Sequence, residues 1–380
     1  PAAYVKARAN ANYLAERDWH SFYHINVPMP LRIMDFQRRY KDIEPEAVFD
    51  VWAYIHTNMD YANNQWKPEV LRYVFDHAPK VENLPLNENG KVTVYRGSGA
   101  LSQPPEEALS WSTNRINALW FANHSGRGQA LYEGEISPEN VAAYFPDFRN
   151  ENEVVVKAGT VENIKKWDMI PVTTENMTAL LIPVLRELTQ FGPYVEKLGY
   201  DQEGLFEVHG RKHILRVLLL SLIYFYKSGE KLGERDRQIL IYFALLHDIG
   251  RTNEDRDDAH GKKSVLRIKS DNLFVPGLTL NRKERDMAHL IIRYHSRPDE
   301  DGYAAIKAMR KLSIAEREHL KKLYCICKDV DGLDRVRFNG LDVAMLRTPY
   351  AVKLALVAGS LLHENIERFI SEAKEDHQDD

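Results

Sequence analysis

Cysteine is nearly absent: the 380 residues include two, Cys325 and Cys327. A disulfide framework is thereby excluded, and a C-x-C pair supplies half a zinc site at best. Two free thiols in a reducing compartment are the expectation. Excess charge of one sign is also missing. Lys and Arg total 51 against 55 Asp and Glu, a formal charge of −4, so no nucleic-acid-coating surface is expected. Long apolar runs are lacking too. The most apolar stretch, Ile214 to Tyr226, is interrupted by Arg216 and is too short to span a bilayer, so no membrane partner is expected. The first twenty residues carry Lys6, Arg8, Glu16, Arg17 and Asp18 around no apolar centre and do not read as a signal peptide. Internal repeats and low-complexity blocks are absent as well. What is present is 44% apolar sequence, enough for two or three globular domains with real cores.

The pattern changes character twice. Residues 1–90 read as helices separated by proline: Pro45 precedes Val48, Val51, Trp52 and Ile55, and Pro68 precedes Val70, Leu71, Val74 and Phe75. Residues 91–172 fall into short runs bounded by Gly, Pro and Asn, as strands should, with one helical run at Asn114 to Phe121. Residues 173–380 are helical, with runs at Ala179 to Phe191, His213 to Tyr226, Arg235 to Leu246, Arg282 to Tyr294, Ile314 to Val330 and Tyr350 to Ala373. The acidic end from Glu375 reads as a solvated tail. The expected fold class is α+β: a small mixed β module with a helical N-terminal part, then an all-α domain.

In the helical half, His247-Asp248 closes the apolar run Ile239 to Leu246. A buried pair of that kind needs partners, because leaving it unsatisfied costs several kcal/mol. Candidates are His209 and His213, four apart on one helical face, with His260, His289, His295 and Asp331. Imidazole and carboxylate together suit a hard-to-borderline divalent cation, which can clamp phosphoryl oxygens and makes phosphoester hydrolysis the natural reaction. His289 and His295 each also fit an ordinary hydrogen-bonded core residue.

The segments around His213 to Val217, Ala244 to Arg251, His260 to Ser264 and Lys328 to Arg335 occur in an order that resembles the HD superfamily of helical metal-dependent phosphohydrolases, over about residues 200–365. The resemblance implies His213, His247, Asp248 and Asp331 as metal ligands. It implies His260, His289 and His295 as second-metal or phosphate-facing groups, with Arg251 and Lys328 as cations near a phosphate. His209-Gly210 through Arg216 also resembles the first motif of the HD-like phosphodiesterase domains in bacterial ubiquitin-modifying effectors. Those cleave an ADP-ribosyl pyrophosphate through a histidine nucleophile without a metal, a role that would fall to His209. Lys328 stands where a second catalytic histidine is expected and Lys263 near an expected glutamate, departures that favour the metal hydrolase.

In the β module, three pieces stand out: Tyr95-Arg96-Gly97 closing a strand, Ser110-Trp111-Ser112, and Glu151-Asn152-Glu153 before Val154. In strand register Glu151 and Glu153 share a face. Two carboxylates there repel unless a hydrogen bond relieves them, and Ser110 is a candidate donor. A carboxylate can steady an oxocarbenium-like transition state, an arginine can bind a pyrophosphate bidentately, and Tyr95 and Trp111 can wall a ring. The order is similar to the arginine–serine–glutamate class of mono-ADP-ribosyltransferases, over about residues 91–171. The resemblance implies that Arg96 binds NAD, Ser110 orients the site, Glu153 is the catalytic glutamate and Glu151 activates an arginine acceptor. It also implies that part of the helical N-terminus completes the module and covers the nicotinamide side.

The expected protein is thus bifunctional, using NAD and a divalent metal ion. Its partners would be a nucleotide-type small molecule and a protein acceptor such as ubiquitin or another host protein. It would act in the cytoplasm or after injection into a host cell. The alternatives are a metal-dependent nucleotide phosphohydrolase whose β module only binds or regulates, and a non-enzymatic adaptor.

Overall fold

A computed structural model describes residues 12–59, 65–126, 128–200 and 209–362. Helices Arg32–Arg39 (α1), Pro45–Thr57 (α2) and Pro68–Asp76 (α3) form the N-terminal part. Proline opens the latter two because its fixed φ suits a first turn and its missing N–H needs no partner there. Val48, Val51, Trp52 and Ile55 of α2 are buried with Val70, Leu71 and Val74 of α3, in a cluster that also takes Leu109, Ala142, Ala143 and Val155. Burying each large apolar side chain contributes about 1.5–3 kcal/mol, so these helices and the following strands share one core.

Those strands are Val92–Ser98 (β1), Ser110–Ser112 (β2), Ala130–Ile136 (β3), Val141–Phe145 (β4), Glu153–Val156 (β5) and Glu162–Lys166 (β6). They make one antiparallel sheet in the order β4-β5-β2-β1-β3-β6. Val155 packs toward the helices, while Val154 and Val156 join Val92, Val94, Trp111 and Ile136 in a separate cluster, as a period of two requires. Helix Arg115–His124 (α4), capped by the Asn114 side chain on the Ile116 amide, lies against β1. The approach is close: a Cβ at Gly97 would stand 1.9 Å from the Ala118 carbonyl oxygen. The sequence reading ended the first strand at Arg96-Gly97; the strand instead runs through both to Ser98, because pairing with β3 continues to Ala130.

The remaining principal helices are Thr174–Leu181 (α5), Leu185–Lys197 (α6), Arg211–Lys227 (α7), Glu234–Leu246 (α8), His260–Ser270 (α9), Arg282–Tyr294 (α10), Asp299–Lys307 (α11), Ile314–Leu333 (α12) and Ala355–Leu361 (α13). The single helix expected over Ala179 to Phe191 is two, broken at Ile182–Val184, where Pro183 cannot donate to the ladder. Capping boxes start α10 (Asn281 with Glu284) and α12 (Ser313 with Glu316). From Gln238 to Leu246 every residue of α8 is buried, the signature of a central helix. The expected continuation to Ala373 and the acidic tail lie outside the described residues.

Contacts divide the chain into two compact units, Pro1–Gly126 with Ala130–Trp167, and Asp168–Asp380 with Arg127–Gln129. All six tryptophans belong to the first. Among the described residues no helix is long and apolar enough to cross a membrane.

Candidate functional site

In the second unit, side chains far apart in sequence converge at helix ends. His213 is the third residue of α7, His247 caps the C-terminus of α8 with Asp248 beside it, His260 opens α9, His295 caps α10, and Asp331 lies near the end of α12. Three overlapping groups, His209–His213–Asp248, His213–His247–Asp331 and His247–Asp248–His295, each bring their ligand atoms within 4.8 Å of one another. Gly261 permits part of this: a Cβ there would stand 2.2 Å from the Ile292 carbonyl oxygen, so α9 can approach the end of α10 and His260 can meet His295.

The tautomers follow from the anchors. A carbonyl oxygen only accepts, so the nitrogen facing it carries the hydrogen. His247 Nδ1 donates to the carbonyls of Phe243 and Ala244 (3.2 Å each), His295 Nδ1 to that of Ile292 (2.6 Å), and His260 Nδ1 to that of Asp257. His213 Nδ1 donates to Asp334 Oδ2 at 2.7 Å, and Asp334 is held in turn by Arg216 and Arg337. Each neutral ring is then left with a bare Nε2. These nitrogens face one another, 3.1 Å apart for His213 and His247 and 2.8 Å for His260 and His295. Opposed lone pairs at that range repel unless a proton or a cation sits between them.

Asp248 serves both pairs. Its Oδ2 lies 3.6 Å from His213 Nε2 and 3.3 Å from His209 Nδ1, and its Oδ1 lies 3.1 Å from His260 Nε2 and 3.6 Å from His295 Nε2. Asp331 Oδ1 is 3.5 Å from His213 Nε2 and 3.6 Å from His247 Nε2, and its side chain is 28% exposed, the open side of the cluster. Burial opposes ionisation of both aspartates, but the imidazoles outweigh it and hold each carboxyl well below the usual range. Burial, with Arg337 nearby, pushes His213 down to about 4, and burial also lowers His295. In His247 the charges of Asp248 and Asp331 overcome burial and raise it. Imidazoles and ionised carboxylates converging in this way form a donor set that can hold a metal ion.

Of the other residues singled out in the sequence, Arg251 reaches the cluster, its Nε donating to Asp248 Oδ2 at 3.1 Å. Lys328 does not join it: its ammonium donates to the Arg297 carbonyl and to Asp299, at 2.6 Å each. His289 stands apart as well, its Nε2 paired with the Tyr242 hydroxyl at 3.1 Å. Lys263 pairs with Asp257. Sequence reasoning missed Asp334, Arg216 and Arg337. The first two lie inside motifs that were noted, and the spacing of Arg216 three residues after His213 was the available signal. Arg337 Nη2 lies 3.3 Å from His209 Nδ1, and its Nε has no partner among the described residues.

In the first unit a cavity of about 450 Å³ is lined by Tyr95, Arg96, Ser110, Trp111, Glu151 and Glu153 among others. Arg96 Nη1 donates to the Ser110 carbonyl at 2.6 Å, and its Nε has no partner among the described residues. Burial pulls this guanidinium down to about 10. Tyr95 accepts from Arg115 at 2.8 Å, and Trp111 donates to the Ala108 carbonyl at 3.4 Å. Glu153 Oε1 accepts from the Ser110 hydroxyl at 2.6 Å, the relief expected, and from His56 Nε2 at 3.1 Å. Burial works against its ionisation, yet His56 and Ser110 hold its carboxyl below the usual range. The shared strand face expected for Glu151 and Glu153 is corrected: β5 begins at Glu153, and Asn150 and Asn152 both have positive φ (56° and 52°). Glu151 reaches the cavity from the irregular segment before β5 and lies 3.7 Å from Arg149.

No family model matches the chain, and no curated protein and no solved structure is significantly similar to it. The chemistry of the two sites therefore rests on their own residues.

Proposed function

We propose that the protein carries two enzymatic centres: an NAD-dependent mono-ADP-ribosyltransferase in the first unit and an HD-type, metal-dependent phosphohydrolase in the second. The observation that carries the second is the set of four anchored imidazoles whose bare Nε2 atoms face one another around Asp248. His213, His247, Asp248 and Asp331 would hold the metal ion, and His260 and His295 with the other oxygen of Asp248 would hold a further one. When bound, such an ion supplies positive charge that polarises a phosphoryl oxygen. Arg251 and Arg337, both beside the cluster, neutralise substrate phosphate. Water adds to phosphorus as the P–O bond to the leaving group breaks, and Asp334 keeps His213 in the required tautomer.

In the transferase, the Glu153 carboxylate stabilises positive charge growing on the NAD ribose as its bond to nicotinamide breaks. Nicotinamide leaves as the neutral base with the bonding electrons. A nitrogen of an arginine acceptor forms the new bond to that ribose carbon and gives its proton to Glu151. Arg96, on the cavity wall with a guanidinium Nε that has no partner among the described residues, would bind the pyrophosphate, and Tyr95 and Trp111 stand on the same wall for ring contact. Both centres act on phosphate-bearing nucleotides. The second is proposed to hydrolyse the ADP-ribosyl pyrophosphate made by the first, leaving phosphoribose on the acceptor.

Incubation with labelled NAD and a cell lysate tests the whole. The wild type should label protein and release nicotinamide, Glu153→Ala should do neither, and Asp248→Ala should leave full ADP-ribose on the acceptor. An acceptor mass that stays at full ADP-ribose with the wild type removes the coupling. A protein that retains no divalent metal after loading and dialysis removes the metal reading.

A further inference from the structure

His56 has no place in either set of residues read from the sequence, yet it touches the carboxylate on which the transferase reading turns. It lies in the last turn of α2, with its side chain 1% exposed, and stacks on Trp52 at 4.7 Å between ring centres. Its Nε2 is 3.1 Å from Glu153 Oε1 and 3.3 Å from Ser110 Oγ. An ionised carboxylate only accepts, so Nε2 carries the hydrogen. Nδ1 is buried with no partner among the described residues.

We infer that His56 is a positioning residue for Glu153: with Ser110 it grips one carboxylate oxygen from the helical side, so that the other oxygen has no protein hydrogen bond among the described residues and serves the cavity. The grip joins two elements, since Ser110 belongs to β2 and His56 to α2. Charged groups facing the trio are Arg149 and Arg96, both within electrostatic reach of Glu153, and Glu151 on the cavity wall. The N-terminal helices therefore contribute to the site itself as well as to the core.

The inference rests on the transferase reading for its catalytic meaning, and two measurements on the full chain separate the two. His56→Phe keeps the ring on Trp52 and removes the donor; His56→Gln restores a donor. Carbon NMR of labelled glutamate, with Glu153→Gln identifying the signal, should show the Glu153 carboxyl titrating roughly one pH unit higher in His56→Phe than in the wild type. With NAD as the probe, His56→Phe should lower kcat on the order of 10- to 100-fold while KM moves less than about threefold, and His56→Gln should recover most of the loss. An unchanged titration in His56→Phe, or equal kcat for the Phe and Gln variants, overturns the inference. A shifted titration in a wild-type protein that does not cleave NAD overturns the transferase reading and leaves the positioning of Glu153 standing.

Discussion

In the first unit one carboxylate, Glu153, sits at a cavity wall held by two donors, Ser110 and His56. In the second, Asp248 and Asp331 lie among five imidazoles, four of which have their Nδ1 atoms already engaged and their Nε2 atoms turned on each other. In the first arrangement Ser110 Oγ and His56 Nε2 each meet an acceptor, and His56 Nδ1 is the atom with no partner among the described residues. The second brings acceptors together with too few protons to go between them. Hydrogen-bond direction, more than residue type, separates the two sites, and it is the second whose groups could hold a metal ion.

The sharpest way to break this comparison is to exchange the losses. Glu153→Gln should reduce NAD cleavage on the order of a thousandfold and leave phosphoester hydrolysis intact, whereas Asp248→Asn should do the reverse. Loss of both activities in either variant would mean that the centres are not separate. The next effect concerns Asp334, which has no ligand role and acts through His213. Asp334→Asn should weaken divalent-metal binding by about 10- to 100-fold, measured by calorimetric titration, while metal added to the wild type at 100 times its Kd should stabilise the second unit by about 2.7 kcal/mol. A metal effect on the melting of the first unit instead would reverse the assignment.

How much of this was legible varies with physical cause. The alternating valines of β1 and the buried face of α2 are periodic, and the unbroken apolar runs of β5 and α8 mark elements buried all round; both signals survive in a sequence. Strand β6, Glu-Asn-Ile-Lys-Lys, is a polar edge with one half-buried residue, so it carries no alternation to read. The break at Pro183 was visible as a proline but was overridden by the apolar run around it. Arg96, Ser110, Glu151 and Glu153 were noted from motif order and line one cavity, although Glu151 arrives by an irregular segment that no side-chain period encodes. His56 was hidden because it follows Ile55 on a core-facing helix and meets a partner 97 residues away. Lys328 has the charge expected near a phosphate, but Asp299 captures it, a tertiary pairing with no local sign.

Two smaller effects sharpen the contrast. Gly97→Ala should destabilise the first unit by about 1–3 kcal/mol, since the new methyl would collide with the α4 backbone, and calorimetry should show only one of two transitions moving. Acid should then act on the units in sequence. His213 and His295 have folded-state pKa values below the ordinary 6.5, so the unfolded chain binds more protons and their stabilisation, full above pH 6.5, is lost as pH falls toward 4. His247 is shifted the other way; its contribution is present at low pH, is lost as pH rises through its folded value, and offsets part of the change. The depressed Glu153 carboxyl costs the first unit stability only below the ordinary 4.5. The metal-free second unit should therefore weaken by on the order of 1–2 kcal/mol across that window, with Glu153 affecting the first unit only at its acid end, below 4.5.

The placement of the tryptophans gives the molecule a built-in optical division. Indole emission arises wholly from the sheet-bearing half, in which Trp52 stacks on His56 and Trp111 borders the cavity. A ligand entering beside Glu153 should therefore be followed by quenching without a label, and loading of the imidazole cluster, which contains no indole, through its own tyrosines or an added dye.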